Sequence, residues 1–473
     1  MRLPTARGFG LLALSVLAAS PTSAAAPREP AKLVAEHCAG CHGPTLTGGT
    51  APSLLDDTWK YGSDDDTILR IMRDGIPALG MNPYRDLLSE PEQRALVAYL
   101  RRQARAFSLG QIPNATPLPD AVTFPGARHS FRLETVARGL DTPWSIVFLP
   151  DGSLLVSDRI GALRVIGPDG RLAPEPIRGT PKPFVKQDGG FLDLIAHPDY
   201  AKNGWLYLAY TELGPDGRTS GTVVVRGKIK DGAWTDEHLI FRAAPQFYFT
   251  DTSHYGCRFL FDPAGQLFFT IGDRGQAAHA QDLASPLGKV HRVRADGSIP
   301  ADNPFVGRPG ALASIWTYGN RHPQGLQYHP ATGKLWSTEH GPRGGDELNR
   351  LEPGRNYGWP TASHGLAQSV EKILGPALAG AESPVVTWTP SIAPAAIEFY
   401  AGDRFPRWKN HLFVASLVGR QLLRLETQGD KVVHQEILFK EQGRVRDVVT
   451  GPDGLLYVAL NNPGRIARLV PAQ

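Results

Sequence analysis

The stretch from Tyr318 to Pro360 holds the densest set of residues that could do chemistry. It contains Gly319-Asn320-Arg321-His322-Pro323-Gln324-Gly325 and, further on, Gly341-Pro342 and Asp346-Glu347. Glycines allow backbone conformations that a Cβ would forbid, and a Gly-Pro step leaves carbonyl groups exposed because proline has no N–H. Carboxylates mixed with main-chain oxygens suit a hard cation such as Ca2+, and the arginine and histidine suit an anionic group. Taken alone, the stretch could also be a glycine-rich turn with solvated charges.

A second chemical motif lies near the amino terminus, where Cys38-Ala39-Gly40-Cys41-His42 has the C-x-x-C-H spacing of c-type haem attachment. Cys38 and Cys41 would hold the porphyrin through thioether bonds, and His42 would bind the iron as an axial ligand. A disulfide or half of a zinc site is the alternative. Cys257 is the only other cysteine, so the chain has no second pair to complete a zinc site. We expect Cys257 to be a buried thiol.

The second axial ligand of such a haem is expected some tens of residues later. The segment from Gly75 to Pro83 resembles the methionine loop of small cytochromes c, and we predict Met81 as the ligand. Met72 lies on the apolar face of a predicted helix and is expected in the core instead. Ligation by histidine and methionine raises the potential of the iron and suits electron transfer.

The composition describes a globular protein with many turns. Of 473 residues, 51 are glycine and 41 are proline, which favours short strands over long helices. The net charge is only +4, and no basic stripe of the kind that binds nucleic acid is present. The length indicates more than one domain.

Residues 1–26 have the pattern of a signal peptide. Arg2 and Arg7 precede a short apolar run from Phe9 to Ala18, and the small residues Ser23 to Ala26 follow. The apolar run is too short for an obvious membrane span, which makes a tethering helix the lesser alternative. We therefore expect export to the periplasm, where bacterial c-type haem is attached.

Four segments follow from these patterns: the signal peptide, a haem module over 27–104, a linker over 105–129 and a larger domain over 130–473. A capping residue, an early proline and an apolar face predict a helix that begins at Ser89. The likeness to cytochromes c implies an N-terminal helix, here Lys32 to His37, packed against it. The linker has no periodicity and is rich in proline.

The larger domain repeats one pattern, in which a proline or aspartate turn and a glycine precede alternating apolar residues. This pattern is typical of a β-propeller with six blades, and we expect Phe131–Val136 to close the ring by pairing with Ile466–Val470. The predicted strands of the six copies are Ser153–Val156, Trp205–Leu208, Gln266–Phe269, Lys334–Trp336, Trp408–Ala415 and Leu455–Val458.

The motifs of the Tyr318–Pro360 stretch resemble the signature of the soluble pyrroloquinoline quinone (PQQ)-dependent aldose dehydrogenases, and the similarity extends over residues 130–470. The resemblance implies an all-β six-bladed β-propeller, here preceded by a small all-α cytochrome c domain. It also implies PQQ, covalent haem c and Ca2+ as cofactors, and a sugar or related alcohol as the substrate.

The resemblance also implies roles for single residues. His254, in Thr252-Ser253-His254-Tyr255, occupies the place of the general base, and Arg321 that of the arginine which stabilises charge on the quinone oxygen. An aspartate usually precedes the histidine; Ser253 stands here, and Asp251 is a possible substitute as its orienting partner. The further cofactor contacts implied are His322, which replaces the usual asparagine, Gln324, Ser391, and the pair Arg444 and Arg446.

The arginine pair can also be interpreted without the family. Residues at i and i+2 of a strand point the same way, so Arg444 and Arg446 would offer two cations to the carboxylates of PQQ. A solvated strand face is the alternative.

The sequence departs from the family pattern at two further places. Val418 replaces a family lysine, for which Arg420 could compensate, and Asp188 stands where a substrate-contacting glutamine is common.

For metal ions, the resemblance implies that the carbonyls of Gly341 and Pro342 bind the Ca2+ that touches PQQ. Asp346, Glu347 and the carbonyl of Tyr357 would hold a structural Ca2+. The expected function is thus sugar oxidation with electron transfer through the fused haem to an external acceptor. A Ca2+-dependent propeller hydrolase, such as a lactonase, and a non-catalytic binding propeller remain as alternatives.

Overall fold

The computed structural model describes residues 28–43, 45–46, 51–55, 59, 61–77, 81–108, 120, 122–342, 344–365 and 379–472. The predicted signal peptide lies outside these residues, as does most of the middle of the predicted linker. None of the described helices is both long and apolar enough to cross a membrane.

The haem module is a small helical unit. Its apolar side chains, among them Leu33, Ile68 and Leu96, form one buried cluster where α1 and α3 pack on α4. Met72 belongs to this core and is 7% exposed, which confirms its predicted place. Its described residues form the helices α1 (Pro30–His37), α2 (Ala39–His42), α3 (Asp65–Asp74) and α4 (Glu90–Ser108).

The start of α4 has one of the two contacts of a capping box. The side chain of Glu92 accepts hydrogen bonds from the backbone N–H of Ser89 at 2.8 Å and from its hydroxyl at 2.9 Å. Arg28 donates to the same carboxylate at 2.7 Å, which ties the start of the described chain to α4.

The rest of the chain forms six antiparallel sheets, as the repeats predict. Two strands, β1 (Thr123–Phe124) and β2 (Phe131–Leu140), precede the first blade. Blade one consists of β3 (Pro143–Phe148), β4 (Leu154–Asp158) and β5 (Ala162–Ile166). Blade two consists of β6 (Phe191–Ala196), β7 (Leu206–Leu213), β8 (Ser220–Lys230) and β9 (Ala233–Arg242). Blade three consists of β10 (Phe259–Phe261), β11 (Gln266–Ile271), β12 (Lys289–Arg294) and β13 (Ile315–Tyr318). A short helix, α5 (Tyr200–Asn203), lies between β6 and β7.

Blades four and five have four strands, and blade six is completed by β2 and β1 from the beginning of the domain. Leu133 of β2 faces Leu469 of the last strand, which confirms the predicted closure. Blade four consists of β14 (Pro323–Tyr328), β15 (Leu335–Glu339), β16 (Asp346–Leu351) and β17 (Val386–Trp388). Blade five consists of β18 (Pro394–Phe399), β19 (Leu412–Ser416), β20 (Gln421–Gln428) and β21 (Lys431–Lys440). Blade six contains β22 (Arg444–Thr450), β23 (Leu456–Asn461) and β24 (Gly464–Pro471).

The predicted repeats correspond to the second strand of each blade. The turn before β4 shows why the pattern recurs: Asp151 Oδ1 accepts the backbone N–H of Ser153 at 3.0 Å, and Gly152 adopts a left-handed φ of 84°. Asp453 and Gly454 repeat this turn before β23, with a bond of 3.1 Å from the backbone N–H of Leu455. The same local chemistry thus starts the same strand in two blades.

The first strands of the blades form the inner ring. Strands β3, β6, β10, β14, β18 and β22 pack each on the next, and β22 packs on β3 again. The core lies between neighbouring blades, as where Trp336, Leu412 and Phe399 bury their side chains between blades four and five. Each such side chain contributes about 1.5–3 kcal/mol by leaving water.

Candidate active site

The predicted site residues lie where the first strand of a blade begins and where its second strand ends. In an antiparallel pair these two points are neighbours, so each blade presents both at the same edge. Arg321 and His322 precede β14, and Arg444 starts β22. His254 lies in the loop before β10, beside Asp273, which follows the end of β11.

His254 is oriented by Asp273. The distance between His254 Nδ1 and Asp273 Oδ1 is 2.7 Å. The other carboxylate oxygen accepts the indole N–H of Trp359 at 2.8 Å, and Oδ1 also accepts the backbone N–H of Gly275 at 2.9 Å. The pKa of Asp273 lies below its usual value. Burial alone would raise this pKa, but the combined effect of His254 and Arg321, which lower it, is larger. The aspartate is therefore an ionised partner that fixes the imidazole.

Asp251, which the sequence offered as a possible partner, does not hold the imidazole. Asp251 Oδ1 instead accepts the backbone N–H of Ser253 at 2.8 Å and its hydroxyl at 2.5 Å, in a local turn. Asp273 lies 19 residues from His254 in the chain. Its one sequence signal is its position just after the strand of the third repeat, at Thr270-Ile271-Gly272-Asp273.

Three histidine rings form a column. His322 stacks on His254 with ring centroids 4.9 Å apart and planes at 25°, and His340 meets His322 edge-on with centroids 4.9 Å apart. Burial, and then His254 and His340, hold the pKa of His322 well below its usual range. Its Nδ1 is buried with no hydrogen-bond partner among the described residues. His322 is thus a neutral ring against the predicted base.

Arg321 lies beside this column. Its backbone carbonyl accepts the N–H of Asp273 at 2.8 Å, and its guanidinium lies 5.3 Å from the centroid of the Trp359 ring. Nη1 donates to the carbonyl of His340 at 3.3 Å, whereas Nε is buried and unpaired within the described part of the chain. Burial lowers the pKa of Arg321. A buried guanidinium with unused donors is suited to an anionic ligand.

Gln324 connects the predicted base loop with blade six. Its Nε2 donates to the carbonyl of Gly256 at 3.1 Å, and its Oε1 accepts from Arg446 Nη1 at 3.4 Å. Residues 444 and 446 are half-buried while Val445 between them is fully buried, which agrees with the prediction that both arginines leave the strand on one side. Burial, and then the neighbouring Arg444, lower the pKa of Arg446 to about 9.

Charged neighbours of both signs act on this arginine pair. Asp188 is the acid whose field acts on both Arg444 and Arg446, while Arg159 adds further positive charge. Arg420, the expected substitute for the family lysine, is 7% exposed, and its charge acts on Arg444. Val418 packs instead against the hydrophobic core. The arrangement concentrates positive charge at one place.

Ser391 and Asp346 contact each other rather than Arg444 and Arg446. Ser391 Oγ donates to Asp346 Oδ2 at 2.7 Å, and the same oxygen accepts the N–H groups of Ile392 and Ala393, each at 2.8 Å. Oδ1 accepts the N–H of Gly341 at 2.9 Å. Four donors match the number of lone pairs on a carboxylate. These contacts favour a structural role for both residues in place of the predicted metal and cofactor contacts.

The other predicted Ca2+ ligands line a cavity that Arg321 also lines. Gly341, Pro342, Glu347 and Tyr357 line it, together with Glu339. Glu339 and Glu347 are cross-strand neighbours on β15 and β16. Burial raises the pKa of Glu339 to about 7, and burial together with Glu339 raises that of Glu347 to about 8. A divalent cation bound between these two carboxylates would favour their ionised forms and offset the effect of burial. Within the described ranges no three His, Cys, Asp or Glu side chains form a metal-binding group, so such an ion would need main-chain oxygens as well.

The residues of the haem motif are Cys38, Cys41 and His42. Neither Cys38 nor Cys41 forms a disulfide with a described residue. His42 Nδ1 lies 2.7 Å from the carbonyl of Pro52, which leaves Nε2 available to an iron. Met81 pairs with Ile76 through two backbone hydrogen bonds of 2.9 and 3.2 Å. Residues 78–80 of the predicted methionine loop lie outside the described residues.

Comparison with known proteins agrees with this geometry. The family described as Glucose / Sorbosone dehydrogenase matches residues 140–468, and that described as Cytochrome C oxidase, cbb3-type, subunit III matches residues 25–100. The Escherichia coli aldose sugar dehydrogenase YliI is 40% identical over 353 residues, which cover 73% of this chain and 94% of that protein.

Solved structures are similar as well. The soluble aldose sugar dehydrogenase from Escherichia coli in its apo-form is 38% identical, with a TM-score of 0.69 over 72% of this chain and 100% of that one. The PQQ-bound form of aldose sugar dehydrogenase from Streptomyces coelicolor is 27% identical, with a TM-score of 0.61 over 74% of this chain and 100% of that one. The chain therefore belongs to the glucose / sorbosone dehydrogenase family, as an aldose sugar dehydrogenase-type propeller with a cytochrome c domain ahead of it.

Proposed function

We propose that this protein is a periplasmic quinohaemoprotein that oxidises a hydroxyl group of an aldose with bound PQQ and passes the electrons to its own haem. The observation that carries the proposal is the meeting of the His254–Asp273 pair with Arg321, Gln324 and Arg446 in one connected site. PQQ, when bound, supplies an acceptor for the hydrogen and the two electrons removed from the sugar carbon.

His254 is the group that takes the proton of the sugar hydroxyl. Its Nδ1 is engaged with Asp273 Oδ1 at 2.7 Å, so Nε2 is the nitrogen that faces the substrate. The ionised aspartate stabilises the imidazolium that forms when Nε2 is protonated. His322, stacked on one face of the ring, limits its rotation and excludes water from that side.

The arginines hold and polarise the quinone. PQQ carries three carboxylates, and Arg444 and Arg446 present two guanidinium groups; burial, followed by Arg444, lowers the pKa of Arg446. The Nε atoms of Arg321 and Arg446 are buried and have no hydrogen-bond partner among the described residues, so they fit an anionic group. Arg321, beside Asp273, stabilises negative charge that develops on a quinone oxygen.

Calcium fits the cavity next to this site. The carbonyls of Gly341 and Pro342 would hold one ion near the quinone, and Glu347 with the Tyr357 carbonyl would hold a structural one. In the haem domain, Cys38 and Cys41 would attach the porphyrin, and His42 and Met81 would bind its iron. The covalent tether keeps this one-electron carrier at high effective concentration near the propeller, from which an external acceptor is served.

The test uses the full-length haem protein. PQQ and Ca2+ are added to it, then a panel of aldoses, and reduction of the haem is followed by absorbance. We expect reduction that needs both the sugar and PQQ and that is lost in His254→Ala. Haem that stays oxidised with every sugar, or lactone cleavage that needs no PQQ, would refute the proposal.

A further inference from the structure

The loop that carries His254 needs to be held in place. Between Phe249 and the start of β10 at Phe259 the chain has no regular strand or helix. His254 itself has a left-handed φ of 51°, which is unfavourable for a residue with a Cβ. Local preference therefore does not place this imidazole, and contacts from other parts of the chain must do so.

Arg274 supplies such contacts to the backbone just before His254. Its Nη2 donates to the carbonyl of Asp251 at 2.6 Å, and its Nη1 donates to the carbonyl of Ser253. Nη2 also lies 3.1 Å from the carbonyl of Ser220, the first residue of β8 in the neighbouring blade. One guanidinium thus ties the loop to blade two while belonging to blade three.

The side chain of Arg274 is shaped for this task. It is only 1% exposed, and its guanidinium carbon lies 3.6 Å from the centroid of the Tyr255 ring. The Tyr255 hydroxyl is fixed in turn by Ser220 Oγ at 2.7 Å. A planar guanidinium can stack on a ring and donate to several carbonyls at once, whereas a lysine ammonium cannot do both.

We propose that Arg274 is a positioning residue for His254, an inference that rests on the proposed role of His254 as general base. Asp273 and Arg274 then divide the task between adjacent positions of the chain. Asp273 orients the ring through Nδ1, and Arg274 fixes the backbone immediately before it.

The first experiment measures sugar oxidation by full-length Arg274→Ala, with PQQ, Ca2+ and D-glucose or the best sugar of the panel. We expect kcat to fall by about 100-fold, the scale set by a displacement of about 1 Å in a catalytic group, while KM changes much less. Millimolar guanidinium should restore part of kcat by entering the vacated space. Arg292→Ala is the matched control, since Arg292 is a buried arginine of the same blade stacked on Trp316. Its activity should not respond to guanidinium.

The second experiment does not depend on catalysis. Hydrogen–deuterium exchange of residues 249–257 should be faster in Arg274→Ala than in the wild type, should slow again with guanidinium, and should be unchanged in Arg292→Ala. Arg274→Lys, which keeps the charge, should lie between the wild type and Arg274→Ala and replaces the latter if that variant does not fold.

Unchanged exchange in the loop, or an unchanged kcat, would overturn the role of Arg274. A wild-type protein that oxidises no sugar would refute the proposed function alone, because the exchange comparison still decides whether Arg274 fixes the loop.

Discussion

Replacement of Asp273 by asparagine tests how the base is oriented. In the wild type, Oδ1 accepts from His254 Nδ1 and from the N–H of Gly275, while Oδ2 accepts from the indole N–H of Trp359. An asparagine has one oxygen and one NH2 group for these two places. With the oxygen toward His254 it satisfies two donors and opposes one, so this orientation is favoured.

The magnitudes follow from that orientation. The hydrogen bond to His254 would persist but would lose its charge, and charged hydrogen bonds are about twice as strong as neutral ones, a loss of roughly 1.5–2 kcal/mol for the imidazolium. We therefore expect kcat of Asp273→Asn to fall about 10- to 30-fold. The NH2 group would also face the Trp359 N–H, a buried conflict that costs about 1–3 kcal/mol of folding free energy.

A double variant separates the two effects. Trp359→Phe removes the opposed N–H, so Asp273→Asn should destabilise the Trp359→Phe protein much less than the wild type, while the loss of kcat remains. Steady-state oxidation and urea unfolding followed by fluorescence measure the two quantities. A fall in kcat of about 10⁴-fold would contradict the orientation, because that is the effect of an amide that forces the wrong histidine tautomer. Wild-type kcat in Asp273→Asn would refute the pairing itself.

Further predictions concern the stacked ring, the cations and the haem. His322→Asn removes a stack worth about 0.5–1.5 kcal/mol, so kcat should fall about two- to tenfold; an unchanged kcat would deny the ring any role. Arg446→Met should weaken PQQ binding about 10- to 150-fold in a fluorescence titration, without lowering the unfolding temperature of the cofactor-free protein, since burial and Arg444 already disfavour its charge. Met81→Ala should lower the haem reduction potential in a redox titration, whereas Met72→Leu, a core change, should leave it unchanged; the reverse result would exchange their roles.

Local turn chemistry is the part of the fold that the sequence could predict. The turns at Asp151-Gly152 and Asp453-Gly454 form bonds within two residues, so their pattern is visible in the chain and marks the second strand of the blade. The closure of the ring could be predicted because β2 and β24 are the strands left over at the two ends of a repeating unit. The i and i+2 spacing of Arg444 and Arg446 is local in the same sense.

Contacts between distant parts of the chain could not be predicted in this way. Asp251 is nearer to His254 in the chain than Asp273, yet the end of β11 brings Asp273 to the imidazole and leaves Asp251 in its own turn. Ser391 and Asp346 lie 45 residues apart and meet because β17 and β18 bring the chain back past β16. Such pairings depend on which strand ends are neighbours, and short motifs do not record that.

The charge of the site bears on the alternative that the propeller is a Ca2+-dependent hydrolase. Keeping a charged group away from water costs free energy, and the fold keeps three guanidinium groups together: Arg321, Arg444 and Arg446 all have lowered pKa values because burial disfavours their charge. A neutral lactone would return little of that free energy, since it carries no charge for the guanidinium groups to meet. A ligand with several carboxylates returns it on binding, and cofactor binding should therefore stabilise the folded propeller strongly. The same arrangement gives a hydrolase no advantage, which is why the arginines favour the quinone over the lactone.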